Sequence, residues 1–181
     1  MTGQPAFVGA RAAEFRAAFD RTFAEPIRIE TARTTDLLAI RVAGDRYALA
    51  LAQVAKLLGG PRVTPVPGPV AELVGIASDR SVIFPVYDLG RLLGREASEG
   101  APYWIVVAAG PVAMGFAFDG FDGHVRVRND AIVARPPGDA GRRFLREVVE
   151  TPAAALPLID IPSVIESIEA TVRGAASGKE R

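Results

Sequence analysis

The sequence predicts an all-β protein made of two small five-stranded barrels, preceded by an amphipathic helix and completed by short capping helices. Three observations carry that prediction. Glycine and proline are frequent, 18 and 14 of 181 residues, well above the roughly 12% of average usage, so turns are many. Apolar residues alternate with period two through much of the chain, the spacing of half-buried strands. The strand plan of the first half also recurs in the second. Ile83-Phe84-Pro85-Val86-Tyr87-Asp88-Leu89 with Leu92-Leu93 aligns without gaps to Ala155-Leu156-Pro157-Leu158-Ile159-Asp160-Ile161 with Val164-Ile165. Two copies of about five short strands make two barrels, and units that small share a docked apolar interface to bury enough surface. The seam between them is the expected apolar binding groove.

Residues 1–34 read as a helical extension and linker. Phe15, Phe19 and Phe23 recur every four residues, with Arg11, Arg16, Asp20 and Arg21 on other faces, until Pro26 limits the helix. Residues 35–170 read as the double barrel, the first barrel about 37–100 and the second about 101–170. Leu38 and Ile40, a turn at Gly44-Asp45, then Tyr47, Leu49 and Leu51 make a hairpin. A short helix is predicted from about Ala52 to Leu58, closed by Gly59-Gly60-Pro61. Pro65, Pro67 and Pro69 then hold the chain extended, because proline fixes φ and biases its predecessor away from helix. Leu73 to Ala77 and Val82 to Tyr87 form a second strand pair, turning at Asp79-Arg80-Ser81. Ala101 to Phe118 carries no charge, yet Pro102 and Gly110-Pro111 interrupt it. It reads as two buried strands and a turn, not as a membrane span. Asp88 and Asp160 each end a strand before a short helix, where a carboxylate accepts the free N–H groups of the first turn, so both are read as N-caps. Residues 171–181 read as a disordered tail.

Composition removes most enzymology. There is no cysteine and one histidine, which excludes disulfide scaffolds, thiolate metal sites and His-rich metal centres. No metal or cofactor is expected. Lys+Arg and Asp+Glu balance at 21 each, so no global field draws the chain to nucleic acid or to an acidic membrane. Residues 1–30 carry regular charges and no apolar core of a signal peptide, which places the protein in the cytoplasm. Gly174 to Glu180 is one residue short of a phosphate loop and has Glu180 where Ser or Thr reaches magnesium. Asp119-Gly120-Phe121-Asp122-Gly123 lacks the ligand alternation and terminal Glu of a calcium loop and reads as a strand-ending turn. His124 alternates with Arg126 and Arg128, an outward-facing strand pattern. Catalysis by Asp119, Asp122 and His124 is the enzyme alternative. A small-barrel nucleic-acid binder would use Arg126, Arg128, Arg142 and Arg143, but the interleaved aromatics of such a surface are absent.

Gly75-Ile76-Ala77-Ser78-Asp79-Arg80-Ser81-Val82-Ile83-Phe84-Pro85-Val86-Tyr87-Asp88-Leu89 resembles the signature of the CheW family, adaptors of bacterial chemosensory arrays. There a Gly-apolar pair leads to Asn-Leu-Arg-Gly and a strand ending Pro-Val-x-Asp-Leu. The resemblance extends from about Leu37 to Ile168 through Tyr47, Val54 to Leu58, Pro65-Val66-Pro67 and Gly115 to Asp119. It implies two barrels of Src-homology-3 type and no catalysis. It further implies a scaffold joining methyl-accepting chemoreceptor tips to the regulatory domain of a CheA-type histidine kinase, with no membrane insertion of its own. Carried over, Arg80 matches the family's functionally sensitive arginine, Val54 and Leu57 match apolar groove positions, and Gly75 matches the glycine entering the hairpin. An arginine at a turn tip presents a planar, multi-donor cation to a partner's carboxylate or carbonyls.

The departures fall in the same stretch. Ser78-Asp79-Arg80-Ser81 replaces Asn-Leu-Arg-Gly, so Ser81 stands at a turn position that favours glycine. Lys56 stands where an acidic residue is common, a sign change expected to alter the charge preference toward partners. The helix of Phe15, Phe19 and Phe23 resembles an extension on some CheW-like proteins of accessory chemosensory systems. The alternative within this fold is an interaction module diverted to another protein partner.

Overall fold

The structure, a computed structural model, describes residues 33–68, 70–96, 103–135, 143–151 and 154–178. The Phe15, Phe19, Phe23 helix and Arg142 lie outside them. The described residues form eleven strands: β1 (Thr34–Val42), β2 (Asp45–Ala50), β3 (Val54–Gly59), β4 (Leu73–Asp79), β5 (Val82–Asp88), β6 (Trp104–Ala108), β7 (Gly115–Phe118), β8 (Gly120–Arg128), β9 (Ile132–Ala134), β10 (Glu147–Glu150) and β11 (Ala155–Ile159). Two helices follow strands, α1 (Leu89–Leu92) after β5 and α2 (Ile161–Gly178) after β11.

The strands sort into two sheets, one in the order β8-β1-β2-β11-β10-β9 and the other β3-β6-β7-β5-β4. The expected all-β fold of two small barrels holds, with its strands in two sheets of six and five. The partition into consecutive barrels does not. The chain builds β1 and β2, crosses to the second sheet for β3 to β7, and returns for β8 to β11. Each crossing is sealed by a parallel pair: β2 beside β11 (Ala48↔Leu158, Leu49↔Ile159) and β5 beside β7 (Val86↔Gly115, Tyr87↔Phe116). The repeat therefore records two copies of a strand plan, each of which contributes to both sheets.

The hydrophobic interior has three parts, and strand alternation creates them. Leu37 and Ala48 join Val127, Val149, Leu156 and Leu158 inside the first sheet. Ala77, Phe84, Val86, Ile105, Val107 and Ala117 fill the second. The residues of opposite parity, among them Leu38, Ile40, Leu49, Tyr87, Val106, Phe116, Phe118 and Ile159, meet in the largest cluster, between the sheets. Strands β6 and β7 are buried on both faces, which is why Trp104 to Ala108 and Gly115 to Phe118 are continuous apolar runs. The stretch weighed as a membrane span is this strand pair, and among the described residues no helix is long and apolar enough to cross a membrane. The seam between the sheets, expected as a groove, is filled by the protein's own side chains.

Three local predictions are corrected. The segment expected to be a helix from Ala52 to Leu58 is a single 3-10 turn, Leu51–Gln53, followed by strand β3. A bulge between Val54 and Lys56 interrupts its pairing with β6, so Val54 and Leu57 both face the core although they are three apart. The tail expected to be disordered from 171 continues α2 to Gly178. This helix is anchored by Ile161, Val164 and Ile168 in the main core, while residues 169–175 are exposed. Of the segment expected as a strand-ending turn from Asp119 to Gly123, Asp119 is the bend after β7 and Gly120 to Gly123 instead open strand β8. Asp88 caps α1 as predicted, its carboxylate accepting from the Arg91 N–H at 3.1 Å. Asp160 occupies the equivalent place before α2, where its carboxylate accepts from the Ser163 hydroxyl at 2.6 Å. The Ile161 N–H donates to Gln53 Oε1 at 3.3 Å instead, a capping contribution from across the fold.

Candidate functional site

The hairpin β4–β5 turns in two residues, since Asp79 pairs with Val82. Arg80 (φ 43°) and Ser81 (φ 71°) both take positive φ, the type I′ geometry whose twist matches a tight hairpin. Ser81 thus adopts the left-handed conformation the turn demands, at a cost that glycine would not carry. Arg80 is exposed at the tip, and among the described residues its side chain has no hydrogen-bond or ion-pair partner. Beside it Val82 is 50% and Ile83 70% exposed. Residues 82–85 extend past the start of β7 at Gly115, so this end of β5 pairs only with β4. A cation, two large aliphatic side chains and an open strand edge therefore share one projection.

Gly75 sits at the base of the hairpin, at a bulge between Leu73 and Gly75. The chain segment before β4 lies against it: Thr64 N–H donates to Ile76 O at 2.8 Å and Ile76 N–H to Thr64 O at 2.9 Å. A Cβ at position 75 would stand 2.2 Å from the Thr64 carbonyl oxygen, so only glycine lets the two backbones approach this closely.

Lys56 and Asp79 form an ion pair. They belong to β3 and β4, the two edges of the five-stranded sheet; the contact joins those edges and rolls the sheet on itself. The reversed charge at Lys56 is neutralised within the chain by Asp79. Val54 and Leu57 lie half-buried on the same strand, packed against the main core. Arg80, Ser81, Gly75 and Lys56 are thus brought together around one hairpin and its neighbouring edge, with Val54 and Leu57 directed to the adjacent half-buried rim. Asp88 and Asp160 are placed at helix starts, apart from this surface.

The other polar clusters are surface networks. Asp36 accepts from Arg126 Nε at 2.7 Å and lies 2.9 Å from His124 Nε2. The Arg126 hydrogen bond lowers the Asp36 carboxyl below its usual range, against some desolvation, with His124 adding to the effect. Arg128 holds Asp130 at 2.7 Å. Asp122 is engaged by both Arg41, at 2.9 Å, and Arg46, at 3.1 Å. Arg126 and Arg128, two of the four arginines the nucleic-acid alternative would use, are thus paired with carboxylates. Among the described residues no group of His, Asp and Glu could hold a metal ion.

Sequence reasoning missed Val82 and Ile83. They continue an apolar run into Phe84 and Val86, and nothing in that run marks its first two residues as outward-facing. The Lys56–Asp79 pair did leave a signal: the two positions depart from the family pattern together, with opposite signs.

A family profile described as the CheW-like domain matches residues 36–169. The chain belongs to the CheW-like domain family. A curated relative, the chemotaxis protein CheW of Rhizobium meliloti (strain 1021), is 25% identical over 138 residues, spanning 74% of this chain and 89% of the relative. The crystal structure of the scaffolding protein TtCheW from Thermoanaerobacter tengcongensis superposes with a TM-score of 0.63 at 19% identity, covering 70% of this chain and 89% of that one. That likeness identifies the fold. Within this CheW-like domain Lys56 and Asp79 are the partners of one ion pair, and the hairpin turns through a positive-φ Ser81.

Proposed function

We propose that this chain is a non-catalytic adaptor of a bacterial chemosensory array, linking the regulatory domain of a CheA-type histidine kinase to the cytoplasmic tip of a methyl-accepting chemoreceptor. Family membership supports the class of protein, and the name of its Rhizobium relative supports the setting. The observation that carries the reading is the hairpin tip, an Arg80 unpartnered among the described residues, beside Val82 and Ile83, exposed by 50% and 70%. A desolvated apolar contact with one multi-donor cation is the composition of an interaction hot spot. The kinase domain docks on this tip and along the open edge of β5. Val54 and Leu57 supply the half-buried apolar rim to the receptor, with Gly75 and Ser81 holding the hairpin's shape and Lys56 bound internally.

The test is titration of the kinase regulatory domain and, separately, of the receptor tip into wild-type protein and Arg80→Glu, with circular dichroism on both. The variant is expected to keep its fold and to weaken kinase binding by about 2 kcal/mol, roughly thirtyfold. Binding of kinase and receptor tip that is unchanged by Arg80→Glu overturns the assignment of this surface.

A further inference from the structure

A second surface feature has no part in that reading. A hollow of about 520 Å³ opens beside the start of β2, and its lining includes Arg46, Arg95 and Arg135 with a single carboxylate, Asp45, among the described residues. Its floor is apolar: Leu93, Leu145 and Leu156 line it and are 3%, 7% and 6% exposed.

Two of the three cations are held by side-chain partners, and the third residue is fixed through its backbone. Tyr47, 2% exposed, uses its phenol oxygen to accept from Arg95 Nη2 at 3.1 Å. Arg95 also reaches Asp45 at 2.6 Å, and its backbone N–H donates to Gly90 O at 2.8 Å. Arg46 is steadied by Asp122, which Arg41 shares, so that carboxylate cannot neutralise both. Arg135 is tied by its backbone N–H to Arg146 O at 2.7 Å. Its half-buried side chain has no ion-pair or hydrogen-bond partner among the described residues. A half-buried guanidinium without a counter-ion is costly, and among the described residues two further guanidiniums against one carboxylate leave the hollow's lining positively charged. Forked donors of this kind match the oxygens of a phosphate. The volume lies within the range of small-molecule sites, and the leucine floor suits an apolar body attached to the charged group.

We propose that this hollow binds a small phosphate monoester, its phosphate held by Arg46, Arg95 and Arg135 and its apolar or aromatic body resting on Leu93, Leu145 and Leu156. The adaptor would then carry a ligand site remote from its hairpin surface.

Isothermal titration of the full chain with phenyl phosphate, inorganic phosphate and benzyl alcohol tests this. Phenyl phosphate is expected to bind one per chain and at least about fivefold tighter than inorganic phosphate, with no saturable heat from the uncharged alcohol. Arg135→Gln, which breaks no side-chain hydrogen bond or ion pair among the described residues, is expected to weaken phenyl phosphate binding about tenfold with an unchanged thermal midpoint, and Arg46→Gln to weaken it comparably. Absence of saturable binding up to roughly 10 mM phenyl phosphate overturns the site. So does binding that neither variant alters. Equal affinity for phenyl and inorganic phosphate overturns the role of the leucine floor.

Discussion

Reversing the Lys56–Asp79 pair tests whether it fastens the five-stranded sheet. The Lys56 ammonium touches the Asp79 carboxylate, with the side chains 44% and 25% exposed. Two unit charges about 4 Å apart attract by about 4 kcal/mol at an effective dielectric of about 20. Solvent and the ordering of two side chains reduce this to about 0.2–1 kcal/mol for exposed pairs. Asp79 is largely covered and the pair joins two strand edges, so the upper end, about 1 kcal/mol, applies here. Lys56→Glu exchanges that attraction for a repulsion of similar size, a loss of about 1–2 kcal/mol. Adding Asp79→Lys restores an attractive pair, and with each single reversal costing about 1–2 kcal/mol the double-mutant coupling is about 2–4 kcal/mol. Urea denaturation followed by Trp104 fluorescence reports it directly. Trp104 is the single tryptophan, and its ring lies 5.4 Å from that of Tyr103 and 5.5 Å from that of Phe121. Raising salt to about 1 M should shrink the coupling, because the Debye length falls to about 3 Å. Coupling below about 0.3 kcal/mol, with the two single effects simply adding, refutes the pair as a fastening.

Gly75→Ala places a methyl against the Thr64 carbonyl, and is expected to cost about 3 kcal/mol, the upper end for overpacking; a urea midpoint equal to wild type would contradict the close approach. Ser81→Gly relieves a positive-φ serine worth about 1–2 kcal/mol against the greater unfolded-state freedom of glycine, for a net gain of about 0.5–1 kcal/mol, read as a higher urea midpoint with an unchanged slope. Asp36 has its folded carboxyl held low, chiefly by Arg126. Its stabilisation is therefore present above the unfolded pKa of about 4 and is lost as pH falls through the lower folded value. Asp36→Asn should flatten the acid side of a plot of thermal midpoint against pH, leaving the slope near neutrality unchanged.

Strands and turns were legible because their signals are local: glycine and proline punctuation, period-two alternation, and an aspartate where a strand meets a helix. Leu73 to Tyr87 with its central turn was read almost as it stands. Segment Val54–Gly59 was not. Val54, Leu57 and Leu58 have the spacing of a helix turn, and the bulge between Val54 and Lys56 produces the same inward spacing in a strand. Only pairing with β6, some fifty residues on, decides between them. The division of strands between sheets was hidden for a related reason. Alternation shows which face of a strand is apolar but not which strand lies beside it, so the parallel β2–β11 and β5–β7 pairs leave no local trace. Residues 171–178 ended in small residues that read as a tail, although their alanines favour continuing the helix begun by the buried Ile161, Val164 and Ile168. Of the hairpin surface, Arg80 was legible through resemblance, while the exposure of Val82 and Ile83 depended on where β7 begins.

The crossing of the chain between sheets sets an order for its synthesis. Strands β1 and β2 leave the ribosome first, but their sheet neighbours β8 and β11 come after β3 to β7 have been made. Until then Leu37 and Ala48, 1% and 0% exposed in the finished fold, lack Val127, Val149, Leu156 and Leu158, which cover them. One face of the first hairpin can pack on β5 to β7, while the other waits for the last strand to close it. A chain stopped before Ala155 would keep all five strands of the second sheet yet leave β2 with an open edge, ready to pair with another copy in the same state.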